Sequence, residues 1–148
     1  MANIKILVGT VYGNALDVAE MCFDQLMDKG HQVKLLRQPE FDQVFTDDAD
    51  VLLVCTSTTG QGEIPDSLLM FYCQLQDRQP IRPELRYGLI TLGDSSYDTF
   101  AEAGKLIDSL FSQLQFQRLG EPLVIDACES LAPREDAQPW IESWERNL

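Results

Sequence analysis

The chain is predicted to fold as an α/β protein: a five-stranded parallel sheet in the order 2-1-3-4-5 with helices on both faces. Three observations predict it. Apolar, β-branched runs alternate with segments of helical periodicity from one end to the other. The most apolar run, residues 50–55, lacks polar alternation, as a strand covered on both faces should. Three strand-like runs are each followed by a polar, glycine-containing loop and then by a helix-like run. Strict alternation of this kind builds parallel sheets, and 2-1-3-4-5 is one of the two common orders in which they are wound.

The elements follow in order. Ile4-Lys5-Ile6-Leu7-Val8 is a strand that ends at Gly9. Ala15, Val18, Ala19, Cys22, Phe23 and Leu26 recur at helical spacing up to Lys29-Gly30. Gln32 to Leu36 is a half-buried strand with Val33 and Leu35 on one face. Phe41, Val44 and Phe45 interrupt a polar connection and suggest a short helix lying on the sheet. Asp50 to Cys55 is the central strand. Pro65 opens a helix with Leu68, Leu69, Tyr72 and Leu75 inward, since proline suits a first helical turn. Tyr87 to Leu92 is the fourth strand. Phe100, Ala103, Ile107, Leu110, Phe111 and Leu114 mark the next helix, and Leu123-Val124-Ile125 the last strand. Pro133 starts a terminal helix that carries Trp140, Ile141, Trp144 and Leu148. The two tryptophans, four residues apart, read as core.

A chain of 148 residues is expected to form one domain, residues 1–148. Its net charge of −13 argues against nucleic acid and against an anionic membrane surface as partners. That charge is either a solvated acidic face or a field that steers basic proteins toward the chain. The apolar runs are too short to cross a bilayer, and no secretory leader is read at the start. Cys22, Cys55, Cys73 and Cys128 show no metal-ligand spacing. Cys22 and Cys73 are placed on apolar helix faces, as thiols that act as small hydrophobes in a cytoplasmic protein. The single histidine, His31, is structural or solvated.

The three loops fall at the carboxyl ends of neighbouring strands, where open α/β sheets bind ligands. In the first, residues 10–15, helix N-terminal amides offer partial positive charge to a phosphate. Gly9 and Gly13 permit the tight turn and the close approach of a ligand, and Thr10 and Asn14 add donors. No lysine follows Gly13, which excludes a nucleoside-triphosphate loop, and the dinucleotide fingerprint is absent. The residues suit a monophosphate held by neutral donors, or a plain strand–helix turn. The second loop, Thr56 to Gly62, consists of small polar residues, and Gly60 is free to flip its peptide. In the third, Tyr97 either stacks on a flat ring or begins a helix at the surface. Gln61 stands where a Cys-x5-Arg phosphatase loop would need arginine. The strand ends lack the acidic pocket of a response-regulator receiver.

Gly13-Asn14-Ala15, Ser57-Thr58-Thr59-Gly60-Gln61-Gly62-Glu63-Ile64-Pro65 and Leu92-Gly93-Asp94-Ser95-Ser96-Tyr97-Asp98-Thr99-Phe100 together resemble the cofactor loops of flavodoxins and of the flavodoxin-like domains of diflavin reductases. The third is the most specific. The resemblance runs through the whole chain, and with no long insertion in the last strand it is to the short-chain flavodoxins. It implies the flavodoxin-like three-layer sandwich, with FMN as cofactor and no metal. Thr10, Val11, Tyr12, Gly13, Asn14 and Ala15 would hold the phosphate, helped by Ser57. The ring would lie between Thr58, Thr59 and Gly60 on one side and Tyr97 on the other. The amides of Asp94 and Ala101 would meet its pyrimidine edge, with Gly93 and Phe100 completing the third loop.

The resemblance further implies a cytoplasmic, monomeric one-electron carrier without catalytic residues of its own. Electrons would come from a basic-surfaced flavoprotein reductase of the ferredoxin/flavodoxin-NADP reductase type and pass to acceptor redox enzymes. An FMN-dependent NAD(P)H:quinone reductase and a flavin-free binding module are the alternatives. Two residues depart from the flavodoxin pattern. Tyr12 replaces the usual threonine, and Thr59 stands where many members place an aromatic on the inner ring face. A lost stacking partner costs on the order of 1 kcal/mol, so FMN should bind more weakly than in a doubly stacked site. A titration giving picomolar affinity would contradict this.

Overall fold

A computed structural model describes residues 2–10, 13–45, 49–58, 62–93, 101–126 and 132–148. The chain runs β1 (Asn3–Gly9), α1 (Asn14–Asp28), β2 (Gln32–Leu36), α2 (Phe41–Phe45), β3 (Val51–Ser57), α3 (Asp66–Arg78), β4 (Arg86–Gly93), α4 (Glu102–Gln113), β5 (Gln117–Arg118), β6 (Leu123–Asp126) and α5 (Pro133–Glu145). All strand pairs are parallel, and the sheet order is β2-β1-β3-β4 followed by β5 and β6, which both pair with β4. The 2-1-3-4-5 winding is therefore borne out, with the fifth position divided in two. β5 lies against Arg86 and Tyr87, and β6 against Ile90 to Gly93. Between them the chain turns at Gly120, whose φ of 73° suits glycine.

Alternation along β1 and β3 feeds two cores. Ile4, Ile6, Val8, Leu53 and Cys55 face α1 and α5, and Leu7, Leu52 and Val54 face α2, α3 and α4. The short helix expected around Phe41 is present as α2. Its Val44 is fully buried, and Phe45 packs near Phe71. Lys5, in the middle of β1, is only 1% exposed. Its Nζ donates to the backbone carbonyls of Gln43 and Val44 at the end of α2. The ammonium thus satisfies helix-end acceptors that burial would otherwise strand.

Two helix-face expectations need correction, and one glycine gains a packing role. In α3 the buried stripe is Leu68, Phe71 and Leu75, with Tyr72 half-buried, while Leu69 is 39% exposed. Cys73 is exposed and not part of an apolar face. Gly9 belongs to β1, and a Cβ there would lie 2.7 Å from Thr56 Oγ1 and 2.9 Å from Leu68 Cβ. Close packing of α3 on the sheet requires that glycine. Cys22 and Cys55 are buried and reduced. The hydrogen bond with Cys22, together with burial, pushes the Cys55 thiol well above its usual value, which keeps it protonated and unreactive.

Of the tryptophan pair, Trp144 is core, as expected, and Trp140 is half-buried against it. Trp140 and Trp144 stack at 5.7 Å, and Trp144 is 2% exposed. His31 is structural: its Nδ1 accepts from the Ala2 N–H at 3.0 Å, and its Nε2 lies 2.9 Å from Glu145 Oε1. The first contact fixes the tautomer, so Nε2 carries the proton and donates to Glu145. This ring pins the end of α5 to the start of β1.

Candidate functional site

The strands β1, β3 and β4 are neighbours, so their carboxyl ends place Thr10, Ser57 and Gly93 along one edge. The winding reverses between β1 and β3, and that crevice is where α/β sheets bind ligands. Among the sequence-predicted residues, Thr10, Gly13, Asn14, Ala15, Ser57, Thr58, Gly93 and Ala101 are described at this edge. Val11, Tyr12, Thr59, Gly60, Asp94, Tyr97 and Phe100 lie outside the described residues.

Gly13 is the N-cap of α1, with φ 91°, and has no side chain with which to cap the helix. The first intrahelical bond runs from Asp17 N–H to the Gly13 carbonyl at 3.0 Å. The amides of Asn14, Ala15 and Leu16 therefore precede the helical ladder, at the positive end of a 15-residue helix. The Gly13 N–H is already used: it donates to Thr10 Oγ1 at 2.8 Å. That bond folds the turn back on itself and leaves the Thr10 hydroxyl proton to donate elsewhere. Asp17 would oppose an anion here, but Arg134 Nη1 lies 3.2 Å from its Oδ1.

Among the described residues, nothing lies within 4 Å of where a Cβ on Gly13 would stand. Gly13→Ala therefore tests the backbone alone. It should cost about 1–2 kcal/mol of apoprotein stability, the penalty of a left-handed L-residue, read from urea melts. A variant as stable as the parent would show that the turn does not hold this conformation.

A residue that sequence reasoning missed supports the first loop. Ser67 Oγ, in the first turn of α3, accepts from the Thr10 N–H at 3.1 Å and donates to the Val8 carbonyl at 3.5 Å. It fixes the exit of β1 from 57 residues away. The only local signal was a serine two residues after the helix-starting Pro65.

Thr58 was placed beside a ring, and its described contacts are to the protein. Its N–H donates to the Leu92 carbonyl at 3.0 Å, and its Oγ1 accepts from the Ala103 N–H at 3.2 Å. Ser57 pairs in register with Leu92, and Gly93 with Asp126. Ala101 is the N-cap of α4 and has φ 60°, unusual for a residue with a Cβ. Non-glycine residues held in this region concentrate at functional sites. Among the described residues, no three His, Cys, Asp or Glu side chains converge as metal ligands. No described helix is long and apolar enough to cross a membrane.

The edge thus offers neutral donors: a helix end behind a glycine N-cap, a threonine hydroxyl and a serine. Known proteins share this frame. Residues 6–140 match the flavodoxin family. Flavodoxin YqcA of Pectobacterium carotovorum subsp. carotovorum is 45% identical over 144 residues, which cover 97% of this chain and 95% of that protein. The sulfite reductase [NADPH] flavoprotein alpha-component of Bacillus subtilis is 34% identical over 141 residues, 95% of this chain and 23% of that protein. A cysteine-to-serine mutant of flavodoxin from Pseudomonas aeruginosa superposes with a TM-score of 0.91 at 37% identity, covering 96% of this chain and 95% of that one. By this match and these relatives, the chain belongs to the flavodoxin family, whose cofactor is FMN.

Proposed function

We propose that this FMN-binding electron carrier takes electrons from a basic-surfaced flavoprotein reductase and delivers them singly to acceptor redox enzymes. The observation that carries the reading is the N-terminus of α1 behind the glycine N-cap Gly13, placed at the β1/β3 crevice with neutral donors among the described residues beside it. Those residues fit FMN. A phosphate monoester needs several N–H and O–H donors in a small arc. The amides of Asn14, Ala15 and Leu16 with the Thr10 and Ser57 hydroxyls supply that set without an arginine or lysine.

In this assignment residues 10–15 and Ser57 hold the phosphate. Thr58, Thr59, Gly60 and Tyr97 border the ring, and the amides of Asp94 and Ala101 meet its polar edge. Gly93 and Phe100 shape the third loop. FMN supplies the one-electron chemistry when bound. The chain binds and orients it, and the −13 charge disfavours further negative charge on the ring. The same field draws basic partners and speeds their encounter. Glu63 and Asp66, both exposed at the start of α3, stand next to this edge. The similarity to one part of a sulfite reductase [NADPH] flavoprotein component supports partners of the redox class.

The test begins with FMN titration of the purified apoprotein, followed by reduction with NADPH. One FMN should bind per chain with loss of flavin fluorescence. Reduction should need an added flavoprotein reductase, and its rate should fall as salt rises. Quinone turnover by the protein and NADPH alone would make it an enzyme. Failure to take up FMN would leave a partner-binding fold.

A further inference from the structure

We propose that Thr58 is a positioning residue that ties the ends of β3 and β4 to the first turn of α4 and so sets the affinity of the neighbouring edge for FMN. This rests on the FMN reading above. Its N–H reaches the Leu92 carbonyl, near the end of β4, at 3.0 Å, and its Oγ1 takes the Ala103 N–H, in the first turn of α4, at 3.2 Å. The first bond continues the β3–β4 pairing one step past Ser57 and Leu92. The second is a helix cap supplied from outside the helix.

An N-cap side chain ordinarily accepts from the second or third amide of its own helix. The N-cap of α4 is Ala101, which has no side-chain oxygen, and α4 has no cap bond of its own. Ala103 occupies the second helical position, so the Thr58 hydroxyl takes the missing role from 45 residues away. Ala101 is meanwhile held at φ 60°, a conformation its Cβ opposes. Such a conformation persists only where neighbours impose it. Thr58 anchors the chain two residues after it, and the Lys105 N–H holds the Ala101 carbonyl itself at 3.3 Å. A threonine expected to border the ring thus acts through the ends of β4 and α4 that it holds together.

The test uses the full chain, with and without FMN. In the wild-type apoprotein the Ala103 amide should be protected from hydrogen exchange. Thr58→Val keeps the shape and removes the acceptor. It should speed Ala103 exchange about tenfold and weaken FMN binding by a similar factor, the scale of one hydrogen bond. Thr58→Ser restores the hydroxyl and should bring both values back to within about threefold of wild type.

An unprotected Ala103 amide in the wild type overturns the clasp, and this reading stands even if Thr58→Val does not fold. Faster Ala103 exchange with unchanged FMN affinity reduces Thr58 to a stabilising residue and overturns the positioning role. Thr58→Ser behaving like Thr58→Val assigns the effect to the methyl group and overturns it too. Wild-type protein that binds no FMN sinks the cofactor reading instead, while Ala103 exchange still reports on the clasp.

Discussion

Replacing Gly104 with alanine should lower the stability of the apoprotein by about 3 kcal/mol, the upper range for overfilling a packed core. Gly104 lies in the first turn of α4, facing β4. A Cβ there would stand 2.0 Å from Thr91 Oγ1 and 3.0 Å from both Thr91 Cβ and Cγ2. Rotating Thr91 does not relieve this, because the β-carbon itself is too close and both branches of a stiff side chain point at the intruder. The helix must move outward. Its N-terminus carries Ala101 and Ala103, so the strain should reach the cofactor edge, and FMN affinity should fall with stability. Thr91→Ser frees one branch, and Gly104→Ala/Thr91→Ser should therefore be less destabilised than the sum of the two single variants. Urea melts of the four proteins measure this. A Gly104→Ala variant within about 0.5 kcal/mol of wild type, the range of an ordinary surface substitution, would mean that α4 does not sit this close to the sheet.

The fold was legible because fully covered parallel strands are written as apolar runs. β1, β3 and β4 need no partner to be recognised. What stayed hidden depends on rotation and long-range packing. Along α3 the apolar residues Leu68, Leu69, Met70, Phe71 and Tyr72 are consecutive, so periodicity alone does not say which of them face inward. The core they share with Val54 and Leu89 selects Leu68 and Phe71. β5 has two residues, Gln117 and Arg118, both exposed, and carries no apolar signal at all. Lys5 interrupts an apolar run with a charge whose acceptors are 38 and 39 residues away.

The site divides in the same way. Glycines, small hydroxyl residues and the absence of lysine mark a neutral phosphate cradle, because backbone conformation and donor chemistry are local properties. Which side chain steadies which loop is not local. Ser67 supports Thr10, and Thr58 caps α4 in place of Ala101, across separations that no window of sequence spans. Gly9 carries a demand of the same long-range kind: Thr56 and Leu68 occupy the place of its missing side chain.

The largest effect away from the cofactor edge should come from Trp144 and Gly88. Trp144 is 2% exposed and belongs to the core between the sheet and α1/α5. Its ring lies where Gly88 lacks a side chain: a Cβ on Gly88 would be 2.5 Å from both Cε2 and Nε1 and 2.7 Å from Cζ2. Trp144→Ala should cost about 3–5 kcal/mol through lost burial and the cavity left behind. Gly88→Ala alone should cost about 3 kcal/mol, because a buried central strand and a large rigid ring leave little room to yield. Once the indole is gone the new methyl meets empty space, so in the double variant the second substitution should become nearly neutral. The coupling should reach about 1–3 kcal/mol in the double-mutant cycle, read from urea melts that report α5 through near-ultraviolet circular dichroism. Additive costs would mean that ring and strand are not in contact. Among the described residues, Trp144 Nε1 is the buried side-chain polar atom without a hydrogen-bond partner. An unsatisfied donor of this kind weakens the native state. Its retention fits a site where the shape of the ring against Gly88 matters more than its nitrogen, and a Trp144→Phe variant nearer to wild type than Trp144→Ala would separate those two properties.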